Sequence, residues 1–177
     1  IVKLFGAHGG DGYFLARNKK EFNKKIKKCK NEKYIIQEYI IGTPVYLQYF
    51  YSPLKKEIEL MGIDRRYESN VDGLARIPPY MSQEFKVEPS FTVIGNFPIV
   101  IRESLLPLVY EMGEKVVAVS KKLMPEKGLY GPFCIETIVT PNQLFYCIEI
   151  SCRIVAGTNL FISGSPYSDL QYESDMS

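Results

Sequence analysis

The stretch from Phe133 to Ile150 does most to limit what this chain can become. Two runs rich in apolar and β-branched residues, 133–139 and 144–150, flank the turn residues Pro141-Asn142-Gln143. That pattern predicts an antiparallel hairpin. A two-residue loop at Asn142-Gln143 pairs Pro141 with Leu144, and counting back along the strands it pairs Glu136 with Glu149. Their Cβ atoms then lie about 4.5–5.5 Å apart on one face. At that spacing two carboxylates repel by about 3 kcal/mol for an effective dielectric of about 20.

Three arrangements relieve such a pair. A divalent cation can sit between the carboxylates, one glutamate can hold a proton, or a basic side chain can bridge them, with Arg153 on the same face by parity. Magnesium suits the first, because it uses one or two carboxylates and completes its shell with water and substrate phosphates. Ser151 and Arg153 follow Glu149 at i+2 and i+4, so acid, hydroxyl and guanidinium point the same way along a strand. That set suits a metal beside phosphate, with the guanidinium holding an oxyanion.

Upstream, residues 2–5 read as a strand and residues 13–17 as its return. Residues 6–12 between them carry four of the chain's 13 glycines and read as a loop. The loop lacks the Gly-Lys-Ser/Thr ending of a Walker A motif and the G-x-G-x-x-G spacing of a dinucleotide fold. Its glycines can still lay backbone N–H groups over phosphates, and Lys3 adds a point charge. Asn18 is the expected N-cap of a helix over 19–30, with Glu21 completing a capping box and Phe22, Ile26 and Cys29 forming the apolar stripe. The lysines on its other faces read as a solvated surface.

Residues 34–41 are expected to form a buried strand, followed by strands over 45–51 and 58–64. Residues 65–79 read as irregular and polar, and 91–94 as a further strand before Gly95-Asn96. Ser104 is the expected cap of a long helix through Met124, with Pro107 in its first turn. Leu105, Val109, Met112, Val116, Val119 and Leu123 form its core-facing stripe, and the tail after Gly157 is polar and turn-rich. Hairpin-connected strands mixed with helices predict an α+β fold with antiparallel sheet, not a doubly wound parallel one.

Composition narrows the function classes. With 177 residues there is room for one full domain or two small lobes. Lysine and arginine total 22 against 20 acids, a net charge of +2, so there is no electrostatic case for nucleic acid or an anionic membrane as partner. No apolar run approaches the length of about 18 residues that spans a bilayer. Cys29, Cys134, Cys147 and Cys152 form no C-x-x-C pair, and His8 is the one histidine, which argues against a zinc cluster and fits a reducing, cytoplasmic setting. The chain opens at Ile1 in a strand-like run without an initiator methionine, and so reads as a piece of a longer protein.

Taken together, a lysine strand, a glycine-rich flap, Gln37-Glu38-Tyr39-Ile40 and paired glutamates ending in Glu149-Ile150-Ser151-Cys152-Arg153 resemble the ATP-grasp ligases. The longer blocks Ile63-Asp64-Arg65-Arg66-Tyr67-Glu68-Ser69-Asn70-Val71-Asp72, Thr92-Val93-Ile94-Gly95-Asn96 and Gly131-Pro132-Phe133-Cys134 look like the archaeal formate-dependent 5-formaminoimidazole-4-carboxamide ribonucleotide synthetases within them. The resemblance covers nearly the whole chain.

It implies an ATP-grasp fold with antiparallel sheets, packed helices and a phosphate flap. Residues 1–51 are expected in the small lobe with the flap, and residues 52–177 in the large lobe with the metal-binding hairpin. It further implies ligation of formate to an aminoimidazole carboxamide ribonucleotide in purine biosynthesis, with ATP cleaved to ADP and phosphate through formyl phosphate. A related ligase using another acid and amine, or a silent nucleotide-binding paralogue, are the alternatives. On matching positions, Lys3, His8, Gly9, Gly10 and Gly12 hold ATP phosphates, Glu38, Tyr39 and Ile41 form the adenine-side edge, and Glu68 also binds ATP. Asn96 contacts the ribonucleotide, Glu136 and Glu149 ligate Mg2+ (with Mn2+ as substitute), and Arg153 steadies phosphate in the transition state. The family's amino-terminal part supplies other ribonucleotide contacts, and a homo-oligomer is compatible with all of this. One departure stands out: Asp11 lies in the flap where the family is expected to carry a basic residue.

Overall fold

The computed structural model describes residues 1–8, 11–29, 33–74 and 90–155. They form two compact units, Ile1–Ile40 with Tyr67–Ile94, and Ile41–Arg66 with Gly95–Ser177.

In the first unit β1 (Val2–His8) is the middle strand of a three-stranded antiparallel sheet, between β2 (Asp11–Phe14) and β3 (Tyr34–Ile36). The strand before the glycines is longer than expected, because Gly6, Ala7 and His8 remain in β1 and the return begins at Asp11. Gly12 explains why glycine is needed there: its φ is +77°, and a Cβ would come within 3.0 Å of the Ala7 Cβ. The helix α1 (Lys19–Ile26) is shorter than the sequence pattern suggests and ends before Cys29. Its N-cap is as expected, with the Asn18 Oδ1 accepting from the Glu21 N–H at 2.9 Å, while the Glu21 carboxylate accepts from the Arg17 N–H at 2.9 Å. Phe22 packs α1 onto the sheet, its ring 6.5 Å from Phe14 and 5.9 Å from Tyr34.

The expected buried strand over 34–41 is corrected. Only Tyr34–Ile36 is strand, it lies at the sheet edge, and Ile35 and Ile36 are each 62% exposed. An edge strand pairs on one side only, so an apolar run does not by itself imply burial. The polar stretch after 65 is likewise partly regular: β5 (Glu57–Glu68) continues past Arg65 to Glu68 and α2 (Val71–Leu74) follows, the Asp72 carboxylate accepting from the Glu68 N–H at 2.6 Å. The rest of that stretch, the end of the expected first helix at Lys30, and the tail after Gly157 fall outside the described residues.

In the second unit a five-stranded antiparallel sheet runs in the order β6 (Val93–Pro98), β5 (Glu57–Glu68), β4 (Thr43–Ser52), β7 (Gly131–Val139), β8 (Phe145–Ser151). One face is apolar. Val45, Leu47 and Tyr49 of β4, Ile63 of β5, and Phe133 and Ile135 of β7 are buried there with Val109 and Val117 of the helix α3 (Leu106–Leu123). The Tyr49 ring stacks on Phe133 at 5.1 Å, and its hydroxyl donates to the Val109 carbonyl at 2.7 Å. At Gly113 the helix comes so close that a Cβ would lie 2.4 Å from Ile58 Cδ1 and 2.9 Å from Tyr49 Cε1.

Two expectations for this helix are revised. A 3₁₀ turn at Glu103–Leu105 precedes it and makes Leu105 the N-cap, so Ser104 does not cap it, although Pro107 does sit in its first turn. Its buried line is Val109, Gly113 and Val117, whereas Val119 is 52% and Leu123 76% exposed. The fully buried contacts end at Val117, and one turn further on the Lys121 ammonium lies 4.5 Å over the Tyr51 ring of the sheet. The α+β class with antiparallel sheets is borne out.

Candidate functional site

The opposite face of the large sheet is polar although much of it is buried. One row of directly opposed residues crosses four strands, from Asp64 to Tyr46 to Glu136 to Glu149. The neighbouring row is Gly62, Gln48, Cys134 and Ser151. Asp64 is 3% exposed and accepts from the Gln48 amide at 3.1 Å. Glu136 is 7% exposed and accepts from the Ser151 hydroxyl at 3.1 Å. The face thus carries carboxylates in low-dielectric surroundings, where hydrogen bonding and an opposite charge matter most.

The pairing of Glu136 with Glu149 is as expected, but its route is not. The loop has three residues: Thr140 and Leu144 close it with a 3.0 Å bond, and the Gln143 N–H donates to the Thr140 carbonyl at 2.8 Å. Pro141 fits the second position of that turn, and Gln143 takes the left-handed conformation at φ 61°. Pro141 has no N–H with which to close a two-residue hairpin. Val139 is therefore opposite Phe145, and Thr137 opposite Cys147, one residue away from the expected register. A bulge then skips Ile148 and returns Glu149 to a position opposite Glu136.

Arg153 departs from the parity argument. The strand ends at Ser151, and the Arg153 guanidinium, exposed, donates to the Ile154 carbonyl at 2.9 Å. Its charge still reaches the buried Cys134 thiol, whose pKa is pushed well up by burial and then by Glu136, against Arg66 and Arg153. Asn96 lies on β6 rather than after a strand, and its side-chain oxygen accepts from Arg66 Nε at 3.2 Å. The Arg66 guanidinium carbon lies 4.0 Å over the Tyr46 ring. Sequence pattern gives Tyr46 no role, and gives Asp64 and Arg66 none beyond their place in the block from Ile63 to Asp72. Residues 64 and 66 alternate on one strand, a signal that becomes visible once β5 is carried past Asp64.

In the first unit, Lys3 on β1 is opposite Tyr13 and Ile35, its ammonium 5.5 Å from the Tyr13 ring centroid. His8 and Asp11 are paired backbone positions, while Gly9 and Gly10 fall outside the described residues. Glu38 is exposed. Tyr39 packs edge-on to Phe91 at 6.4 Å, and its hydroxyl pKa is raised by burial and then by the Glu68 carboxylate, which brings residues 39 and 68 into one neighbourhood. Ile41 belongs to the second unit and is 81% exposed.

Among the described residues no group of three or more His, Cys, Asp or Glu side chains gathers to cage a metal ion. The donor set on the large sheet is two opposed carboxylates beside a serine hydroxyl, which fits magnesium sharing its shell with phosphate. No helix among the described residues is long and apolar enough to cross a membrane.

Known proteins bear on this arrangement. The 5-formaminoimidazole-4-carboxamide-1-(beta)-D-ribofuranosyl 5'-monophosphate synthetase of Pyrococcus horikoshii is 52% identical over 186 residues, covering 100% of this chain and 55% of that protein. The chain thus spans about half the length of the curated relatives it matches. The crystal structure of an IMP biosynthesis protein PurP from Thermococcus kodakaraensis is similar with a TM-score of 0.64 and 34% identity, over 80% of this chain and 44% of that one. The N5-carboxyaminoimidazole synthetase from Staphylococcus aureus, complexed with ADP, shares the fold at a TM-score of 0.60 and 19% identity, over 92% of this chain and 36% of that one. The fold is ATP-grasp. Residues 14–177 match the family described as Domain of unknown function (DUF1297), and the chain belongs to that family.

Proposed function

We propose that this chain is the ATP-handling part of a ligase that joins formate to the amine of 5-aminoimidazole-4-carboxamide ribonucleotide, acting in the cytoplasm in IMP formation. The names of its relatives support the reaction. The observation that carries the reading is the Glu136–Glu149 pair, because two carboxylates set opposite each other by a bulge, with Glu136 buried, suit a cation between them. The two glutamates would hold Mg2+, or Mn2+ in its place. The ion would supply positive charge against ATP phosphate oxygens.

The chain's own residues then divide the work. Lys3 and the flap backbone, including His8, Gly9, Gly10 and Gly12, hold phosphate. Glu38, Tyr39 and Ile41 form the adenine-side edge, and Glu68 also binds ATP. Asn96 binds the ribonucleotide, and Arg153 swings from the Ile154 carbonyl to neutralise charge on the transferred phosphoryl group. In the reaction a formate oxygen attacks the γ-phosphorus, giving formyl phosphate and ADP. The ribonucleotide amine then attacks the formyl carbon, losing a proton as phosphate leaves. In this reading the small lobe is the flap-bearing part within residues 1–51 and the large lobe the hairpin-bearing part within residues 52–177.

Phosphate release by the full-length protein tests the proposal. Release that needs ATP, Mg2+, formate and the ribonucleotide together supports it; release with another acid or amine redirects it to a related ligase. A second reading, a nucleotide-binding paralogue without turnover, draws on Asp11, exposed at the start of β2 where a basic residue is expected. Binding of MgATP without any turnover would select it.

A further inference from the structure

Arg66 has no assigned role, yet its surroundings are unusual for a guanidinium. It lies on the polar face of the large sheet and is 8% exposed. Its guanidinium carbon lies 4.0 Å over the Tyr46 ring, and Tyr46 stands directly opposite both Asp64 and Glu136. Its Nε is committed to the Asn96 side-chain oxygen at 3.2 Å. Burial with stacking on a conjugated ring holds such a side chain in one place, since its planar fork has few alternatives there.

The donor inventory gives this contact a direction. A guanidinium has only N–H donors, so the atom of Asn96 that faces it must be the oxygen. The amide nitrogen is then turned the other way, with donors and no acceptor to offer. An isolated asparagine can flip and present either end to a ligand; one held by arginine cannot do so without leaving a buried donor unsatisfied.

We propose that Arg66 is a positioning residue that locks the Asn96 amide with its nitrogen toward the substrate, so that the group bound there is a hydrogen-bond acceptor oxygen of the ribonucleotide. This rests on the ligase reading, in which Asn96 contacts that substrate. Tyr46 acts with Arg66 as the surface on which the guanidinium lies. Glu136, one strand further along the same row, places the locked amide on the same face as the metal-binding pair.

The test is steady-state kinetics on the full-length protein with the Arg66→Met, Arg66→Lys and Asn96→Ala variants. Methionine keeps the apolar stem over Tyr46 but removes the donor. Arg66→Met is expected to raise KM for the ribonucleotide about tenfold, with KM for ATP within twofold of the parent, the loss associated with one hydrogen bond. Lysine, which can still donate to the amide oxygen, is expected to recover most of that loss. In the Asn96→Ala background, Arg66→Met is expected to add nothing further, because the two act as one unit. An unchanged ribonucleotide KM in Arg66→Met, or full additivity with Asn96→Ala, overturns the role while leaving the ligase reading intact. Should Arg66→Met fail to fold, Arg66→Leu, which likewise removes the donor and keeps an apolar stem, decides by the same additivity with Asn96→Ala. Absence of any formate- and ribonucleotide-dependent turnover in the parent overturns both.

Discussion

Glu136 and Glu149 stand directly opposite each other on β7 and β8, and a bulge that skips Ile148 is what brings them there. The three-residue turn alone leaves the strands in a register that sets Thr137 against Cys147 and continues Glu136 toward Ile148. A local irregularity that returns one acid to another, on a face where Glu136 is 7% exposed, sets two like charges together where a cation can draw on both.

The pair therefore has opposite effects with and without metal. Glu149→Gln is expected to raise the metal-free melting temperature of the full-length protein by about 1–4 °C, through relief of a like-charge contact worth about 0.2–1 kcal/mol. It should also abolish the extra stabilisation that Mg2+ with ATP gives the parent, a linkage effect of binding to the native state. Glu136→Gln should do the same. Thermal melts with and without Mg2+ and ATP decide it, and a variant that still gains from the metal would remove these residues as its ligands.

This pair was legible in the sequence for a partly wrong reason. Two apolar runs about Pro141-Asn142-Gln143 announce a hairpin whatever its loop length, but they do not announce a bulge. The expected loop is one residue too short, and the skipped Ile148 compensates for it at the glutamates and not nearer the turn. Edge and centre were illegible for a related reason: the residues of β3 have the apolar content of a buried strand, and only the sheet order shows that one side lies open. Arg66 escaped notice because its meaning depends on Asn96, thirty positions away, and on a Tyr46 ring on a third strand. Local pattern carries elements and faces; it does not carry contacts that cross a sheet.

Gly113 tests how closely α3 is seated on the core. Alanine there puts a methyl 2.4 Å from Ile58 Cδ1 and 2.9 Å from Tyr49 Cε1. Overpacking of this kind costs about 1–3 kcal/mol, offset by up to about 1 kcal/mol of helix propensity. Gly113→Ala is expected to lower the urea midpoint by the difference at an unchanged m-value. A more stable variant would mean that the helix can slide away from Tyr49 at little cost.

The thiols should separate by burial. Cys147 and Cys152 are exposed, Cys29 is half-buried and Cys134 is buried with its pKa pushed far up. Alkylation at pH 8 followed by mass spectrometry is expected to label Cys147 and Cys152 first, Cys29 more slowly, and Cys134 only on unfolding. The same burial has a consequence at high pH. The native state keeps the Cys134 proton, and likewise that of the Tyr49 hydroxyl, after the unfolded chain has released them. Stability is therefore full below the ordinary thiol value of 9.0 and falls as pH rises above it. Cys134→Ala should make denaturant midpoints between pH 9 and 11 flatter than the parent's. An equally steep fall would assign the alkaline loss to other groups.

Asp11 bears on whether the flap can hold a nucleotide well. It opens β2 opposite His8 and is exposed, next to glycines whose backbone N–H groups are proposed to meet phosphate. A carboxylate there repels the triphosphate through solvent, an effect worth up to about 1 kcal/mol at an exposed site and weakened by salt. Asp11→Lys replaces repulsion by attraction, so the dissociation constant of MgATP is expected to fall about five- to tenfold at low ionic strength. The gain should shrink to about twofold or less in 0.5 M salt, where the Debye length is only a few ångströms. Calorimetric titrations at two salt concentrations separate this from a rearranged flap. A tighter but salt-independent complex would mean that residue 11 acts through flap conformation, and weaker binding would mean that the Asp11 carboxylate takes part in holding the nucleotide's metal.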